Sequence, residues 1–65
     1  MNFKEFRKRK GLTLNEMAAL LKCSRSFYEK VEYGARKPTR KFMNNFKKAF
    51  PDFDMNIFFY NFTTL

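Results

Sequence analysis

The chain has 65 residues, a formal net charge of +8 and a pI near 10.0, which points to a polyanionic partner such as nucleic acid or an anionic membrane surface. A length of this order supports one domain with one small core and leaves little room for a deep catalytic cleft. One cysteine and no histidine exclude an intrachain disulfide, a zinc site and the usual enzyme nucleophile and base pairs, so we expect no catalysis and no cofactor.

Helix 1 is predicted over residues 2–10. Phe3 and Phe6 lie three residues apart, which places both rings on one helical face. Gly11 follows as the end signal, because glycine tolerates the positive φ that closes many helices. Binding of this helix to a membrane surface is not expected, since its apolar face is narrow and is needed for the core.

Helix 2, predicted over residues 14–21, has the clearest start signal in the chain. Thr13 stands at the N-cap and Glu16 three residues later, which is the spacing of a capping box. In this motif each of the two side chains accepts a hydrogen bond from the other residue's backbone N–H. The inward stripe of the helix is then formed by Met17, Ala18 and Leu21.

Helix 3 is predicted over residues 25–33, with Ser24 as its N-cap and Gly34 as its end signal. The connection from helix 2 is a short turn, so helices 2 and 3 are expected to form a helix-turn-helix. Tyr28 lies on the inward side of helix 3 and is expected to be a core ring.

Two more helices are predicted, over residues 40–50 and 55–59. Thr39 can cap the first of them, and Pro51 ends it. The phenylalanines at helical spacing in helices 1 and 4 are assigned to the core: Phe3, Phe6, Phe42, Phe46 and Phe50. Five short helices indicate an all-α fold, a compact bundle that forms a single domain over residues 1–65.

A run of apolar residues near the C-terminus carries more apolar surface than a tail needs. It consists of Ile57, Phe58, Phe59, Tyr60 and Phe62. Two interpretations stay open, closure of the monomer's own core and a homodimer interface. We favour the homodimer, because a chain this short offers no other place to build one.

The order of these motifs resembles the phage repressor and Cro type of helix-turn-helix domain, also called Xre-like or lambda-repressor-like. The residues that carry the resemblance are Phe6-Arg7, Gly11-Leu12-Thr13, Glu16-Met17-Ala18, Leu21, Ser24-Arg25-Ser26, Val31-Glu32, Gly34 and Pro38. The resemblance covers nearly the whole chain, from residue 3 to about residue 59. It implies that helix 3 is the recognition helix, whose N-terminal residues enter the major groove of double-stranded DNA.

By position, the resemblance assigns contacts with DNA bases to Arg25, Ser26, Phe27 and Lys30. Arg25 can form a bidentate fork with guanine O6 and N7, and Phe27 can touch a thymine methyl group. A packing role for the Phe27 ring, in the core or in a dimer, is equally consistent with the sequence. Contacts with DNA phosphates are expected from Lys22, Ser24, Arg36, Lys37, Thr39, Arg40 and Lys41.

The resemblance also implies a structural ion pair between Arg7 and Glu32, because an unpaired carboxylate on the inward side of helix 3 would be costly. Two positions depart from the family pattern. Leu14 replaces a glutamine that often binds a phosphate, so that anchor must come from the backbone. Lys22 replaces the usual turn glycine, and lysine resists positive φ, so the turn is expected to be strained or differently shaped.

These features lead us to expect a sequence-specific DNA-binding transcriptional regulator, a small repressor or Cro-like protein of a phage or mobile element. It would bind double-stranded DNA as a homodimer in the bacterial cytoplasm, and a regulatory protein partner could control it. The alternative is a protein-interaction module on the same fold, an antitoxin or a repressor's partner. No membrane span is expected, because no apolar run approaches about 20 residues.

Overall fold

The computed structural model describes residues 2–53, which form four α-helices. They are α1 (Phe3–Arg9), α2 (Leu14–Leu20), α3 (Arg25–Glu32) and α4 (Arg40–Ala49). The all-α prediction is confirmed, and the first four predicted helices differ from these bounds by at most one residue at either end. The predicted fifth helix, residues 55–59, lies outside the described residues. Between residues 2 and 53, no helix is long and apolar enough to cross a bilayer.

A side chain caps the N-terminus of each of these four helices. Asn2, Ser24 and Thr39 each accept a hydrogen bond from the backbone N–H three residues later, at 2.9 to 3.1 Å. The predicted capping box of α2 is present: Glu16 N–H donates to Thr13 Oγ1 over 3.1 Å, and Thr13 N–H donates to Glu16 Oε1 over 2.9 Å. Helices this short are marginal alone, so the caps help to define where each one begins.

The first three helices end in the same backbone motif. A residue with positive φ follows each helix: Gly11 at 70°, Lys22 at 56° and Gly34 at 80°. In each motif, the N–H of that residue and the N–H of the next residue donate to carbonyl oxygens in the last turn of the helix, at 2.8 to 3.2 Å. This doubly bonded ending reverses the chain sharply, and at Lys22 it forms the turn between α2 and α3.

The core consists mainly of aromatic rings packed around the inward stripe of α2. The buried apolar residues of the described chain are Phe3, Phe6, Met17, Ala18, Leu21, Tyr28, Val31, Phe42 and Phe46. Phe3 meets Phe42 and Phe46 edge to face, with ring centroids 6.1 and 5.6 Å apart. Phe50, predicted in the core, is only half-buried because it lies at the end of α4, where its ring packs on Phe6 with centroids 4.9 Å apart.

Asn45 ties α4 to the turn between α2 and α3. Its Nδ2 donates to the backbone oxygen of Leu21 over 3.1 Å. That carbonyl stands at the C-terminal end of α2, where a helix cannot satisfy its own acceptors. The bond therefore holds the turn against α4. It was not predicted, because an asparagine on a helix is more typical of the solvent-facing side.

Candidate nucleic-acid interface

One side of α3 presents polar side chains to solvent. Arg25, Ser26 and Lys30 are exposed, while Tyr28 and Val31 on the other side of the helix are buried. Three of the four residues predicted to contact bases therefore share the outward side of one helix. Their contact with bases stays a prediction.

Two residues that were not predicted to be functional lie on the same face. Glu29 and Tyr33 join Arg25, Ser26 and Lys30 in lining a shallow groove of about 380 Å³. Tyr33 is 69% exposed, and Glu29 Oε2 lies 3.6 Å from Arg25 Nε. The sequence signal for both is the four-residue spacing from Arg25 to Glu29 to Tyr33, which lines up side chains along a helix.

Phe27 does not line this groove. Its half-buried ring meets the Phe42 ring edge to face, with centroids 5.9 Å apart. The guanidinium carbon of Arg36 lies 5.3 Å from the Phe27 centroid, over the ring, where the aromatic quadrupole attracts a cation. The ring therefore links α3 to α4 and holds Arg36 beside the candidate recognition helix. The contact between Phe27 and a thymine methyl stays a prediction.

The side chains predicted to contact phosphates are all exposed, and they flank α3 on both sides in the sequence. They are Lys22, Ser24, Arg36, Lys37, Thr39, Arg40 and Lys41. Ser24 and Thr39 accept their cap bonds through Oγ atoms, so each hydroxyl hydrogen remains able to donate to a phosphate oxygen. Leu14 packs against the core, so α2 offers no side-chain phosphate ligand at that position.

Lys22 adopts the backbone conformation that a glycine usually has at this turn, and this conformation is strained for lysine. Its φ of 56° lies in the left-handed region, which costs a residue with a side chain about 1 to 2 kcal/mol. We expect Lys22→Gly to raise the free energy of unfolding by about 0.5 to 1 kcal/mol, because the added freedom of glycine in the unfolded chain offsets part of the relief. We also expect weaker DNA binding through loss of the cation. Urea unfolding and titration with a duplex measure the two effects.

Lys22→Ala is the matched control for this prediction, because it removes the charge and keeps the Cβ atom that strains the turn. It should share the loss of DNA affinity without the gain in stability. Equal unfolding midpoints for the glycine and alanine variants would contradict the expected gain, because the strain relieved at this position would then be no larger than the entropy that glycine adds to the unfolded chain.

Arg7 and Glu32 form the expected ion pair between α1 and α3. Arg7 Nε donates to Glu32 Oε2 over 2.9 Å, and Arg7 Nη2 donates to Oε1 over 3.2 Å, so the pair is bidentate. Arg7 Nη1 also donates to the Leu12 carbonyl over 3.0 Å. The two charged side chains are only 11% and 3% exposed. Burial is the largest single effect and would raise the pKa of Glu32, but the hydrogen bonds and positive charge of Arg7, together with the nearby Tyr28 hydroxyl and Lys4, outweigh it and hold this pKa below its ordinary value.

The Tyr28 hydroxyl is buried close to this ion pair. Burial, together with the nearby Glu32 carboxylate, raises the pKa of Tyr28 far above its ordinary value, so the side chain stays neutral. Within residues 2–53, the hydroxyl has no hydrogen bond of acceptable geometry. The ring itself stacks on Phe42, with centroids 6.3 Å apart, and Tyr28 therefore serves the core.

The comparison with known families identifies the domain that carries this face. A family model described as a helix-turn-helix domain matches residues 2–50, a span that includes all four helices and the turn between α2 and α3. No curated protein and no solved structure matches the chain. The family match is consistent with the resemblance to Xre-like domains, and a domain of this kind indicates a DNA-binding regulator. The chain thus belongs to the helix-turn-helix domain family.

Proposed function

We propose that the protein is a sequence-specific transcriptional regulator that binds double-stranded DNA with α3 in the major groove. The observation that carries the proposal is the exposed polar face of α3, directly after the sharp turn that ends α2. Arg25, Ser26 and Lys30 project from this face, while Tyr28 and Val31 anchor the same helix in the core. A helix anchored in this way can enter a groove about 12 Å wide without uncovering apolar surface.

The charge distribution supports the same proposal. All 14 basic residues precede residue 50, and exposed cations adjoin α3 at Lys22 before it and at Arg36 and Lys37 after it. Cations in these positions attract a duplex and fix the register of the helix on it, while the side chains of α3 supply sequence preference.

We further propose a small repressor or Cro-like protein of a phage or mobile element, which occludes a promoter as a homodimer. The motif resemblance and the size of the chain support this part. Two copies would bind half-sites one DNA turn apart, about 34 Å. The residues proposed for the dimer contact, within 57–62, lie outside the described part of the chain. The proposed function includes no catalytic activity and no cofactor.

Selection of bound duplexes from random DNA tests the proposal. We expect the wild type to enrich one site, and we expect Arg25→Ala to lose the preference for guanine at one position. The binding free energy of this variant for the enriched site should become less favourable by about 1 to 3 kcal/mol, which is the discrimination that one bidentate contact supplies. Its affinity for an unrelated duplex should change much less.

Lys8→Ala is the control, because it removes an exposed cation from α1. It should leave the selected sequence unchanged. If Arg25→Ala enriches the same guanine with undiminished affinity, Arg25 is not a base contact. If the wild type enriches no site and binds DNA only at low salt, the protein-interaction module is favoured instead.

A further inference from the structure

We propose that Glu29 is a positioning residue that holds the guanidinium of Arg25 in the orientation needed to bind guanine. The inference rests on the proposed function and names a second determinant of its specificity. It starts from the pair on the exposed face of α3, in which Arg25 Nε lies 3.6 Å from Glu29 Oε2. The side chains of Arg25 and Glu29 are 56% and 35% exposed, so both remain accessible to a duplex.

The position of Glu29 is unfavourable for DNA binding if the residue acts alone. It is the acidic member of a groove otherwise lined by Arg25, Ser26, Lys30 and Tyr33. A carboxylate that faces a duplex is repelled by the phosphates and lowers affinity for every sequence. Glu32, the other acid of α3, is occupied by Arg7 and cannot take this role. Glu29 therefore affects recognition mainly through the cation beside it.

The chemistry of the guanidinium shows what that effect is. Arginine has five N–H donors, and a carboxylate beside Nε leaves the two terminal Nη groups free. Those two groups can donate in parallel to guanine O6 and N7. A side chain fixed at Nε loses less rotational freedom on binding the base, so the fork is preorganised.

The strength of the attraction between Arg25 and Glu29 depends on how much water surrounds the two side chains. At 3.6 Å in solvent it is longer than a hydrogen bond and contributes little to the stability of the free protein. In the major groove, nearby bases displace part of the water, and the attraction between the two charges increases. The positioning effect is therefore expected in the complex with guanine, while repulsion by phosphates acts at every site. The repulsion lowers specific and nonspecific binding alike, so only the positioning effect widens the gap between them.

Glu29→Gln tests the inference, because it keeps the shape of the side chain and removes its charge. Affinities are measured for three duplexes: the selected site, the same site with the guanine read by Arg25 replaced, and an unrelated sequence. We expect the ratio of the first two affinities to fall about tenfold, within the range of one bidentate contact. Binding to the unrelated duplex should become equal or tighter. In an Arg25→Ala background, Glu29→Gln should have no further effect on the ratio.

Glu5→Gln is the matched control, since it removes one exposed carboxylate from α1. It should leave the ratio unchanged, and Glu29→Asp should restore much of it. Unfolding midpoints in urea verify that all variants are folded. The inference is overturned if Glu29→Gln leaves the ratio intact, or if its effect adds fully to that of Arg25→Ala. If the wild type selects no site, the proposed function and this inference both fail. If the wild type selects a site and Glu29→Gln keeps the wild-type affinity ratio, only the inference fails.

Discussion

Glu32→Gln is expected to lower the free energy of unfolding by about 3 kcal/mol, a large fraction of the total stability of a domain this small. Arg7 would stay covered, lose its counter-charge and keep its bond to the Leu12 carbonyl, and the glutamine amide would offer one acceptor oxygen where the carboxylate offers two. Removing one partner of a buried pair typically costs about 3 to 5 kcal/mol, and we expect the lower end because no part of so small a fold is far from water. Urea unfolding at neutral pH measures the difference.

The double variant Arg7→Met/Glu32→Leu is the control, because apolar side chains of similar volume often replace a buried pair without loss. The pH dependence gives a second check. Since the folded-state pKa of Glu32 is depressed, its contribution is fully present above the ordinary carboxyl pKa of about 4.3 and is lost as the pH falls through the lower folded value. The difference between wild type and Glu32→Gln should therefore shrink in acid. Equal stabilities at neutral pH would contradict a structural role for the pair.

Raising the salt concentration from about 50 to about 200 mM is expected to weaken binding to the selected duplex about a thousandfold. About six neutralised phosphates, at roughly −0.9 per contact, give a slope near −5 for the logarithm of affinity against the logarithm of salt. The physical cause is the release of counterions from the phosphates that basic side chains contact. Fluorescence anisotropy of a labelled duplex at several salt concentrations measures the slope.

Two lysines of α4 provide a matched pair of variants for this measurement. Lys41 belongs to the predicted phosphate contacts near the start of the helix, and Lys48 lies seven residues, or about 10 Å, further along it. Lys41→Ala should reduce the magnitude of the slope by about one, while Lys48→Ala should leave it nearly unchanged. A slope for Lys41→Ala equal to the wild-type slope would mean that Lys41 contacts no phosphate.

The ends of the helices could be predicted from the sequence because local bonds determine them. Thr13 and Glu16 specify the start of α2 through a motif confined to four residues. Gly11 and Gly34 mark the ends of α1 and α3, because glycine tolerates the positive φ observed there. The buried rings of α1 and α4 followed from helical spacing in the same way.

Features that depend on packing between distant elements were not predictable in this way. The bond from Asn45 to the Leu21 carbonyl requires α4 to lie against the turn, and no local pattern specifies that. The half-buried position of Phe27 depends on where Phe42 and Arg36 lie around it. The sequence predicted that the turn at Lys22 is either strained or differently shaped. The backbone has the same helix-ending motif as Gly11 and Gly34, with Lys22 at a positive φ that is unfavourable for lysine. The hydrogen bonds from the backbone N–H groups of Lys22 and Cys23 to the last turn of α2 accompany this conformation.

The short connections between the helices have a consequence for folding kinetics. Residues 10–13, 21–24 and 33–39 join successive helices, so neighbouring elements meet after closure of small loops. Closing small loops costs little chain entropy, and helical domains with mostly local contacts fold in microseconds to milliseconds. A newly synthesised copy of the chain therefore covers the core rings Phe3, Phe6, Tyr28, Phe42 and Phe46 quickly, which limits the time available for aggregation with other nascent chains.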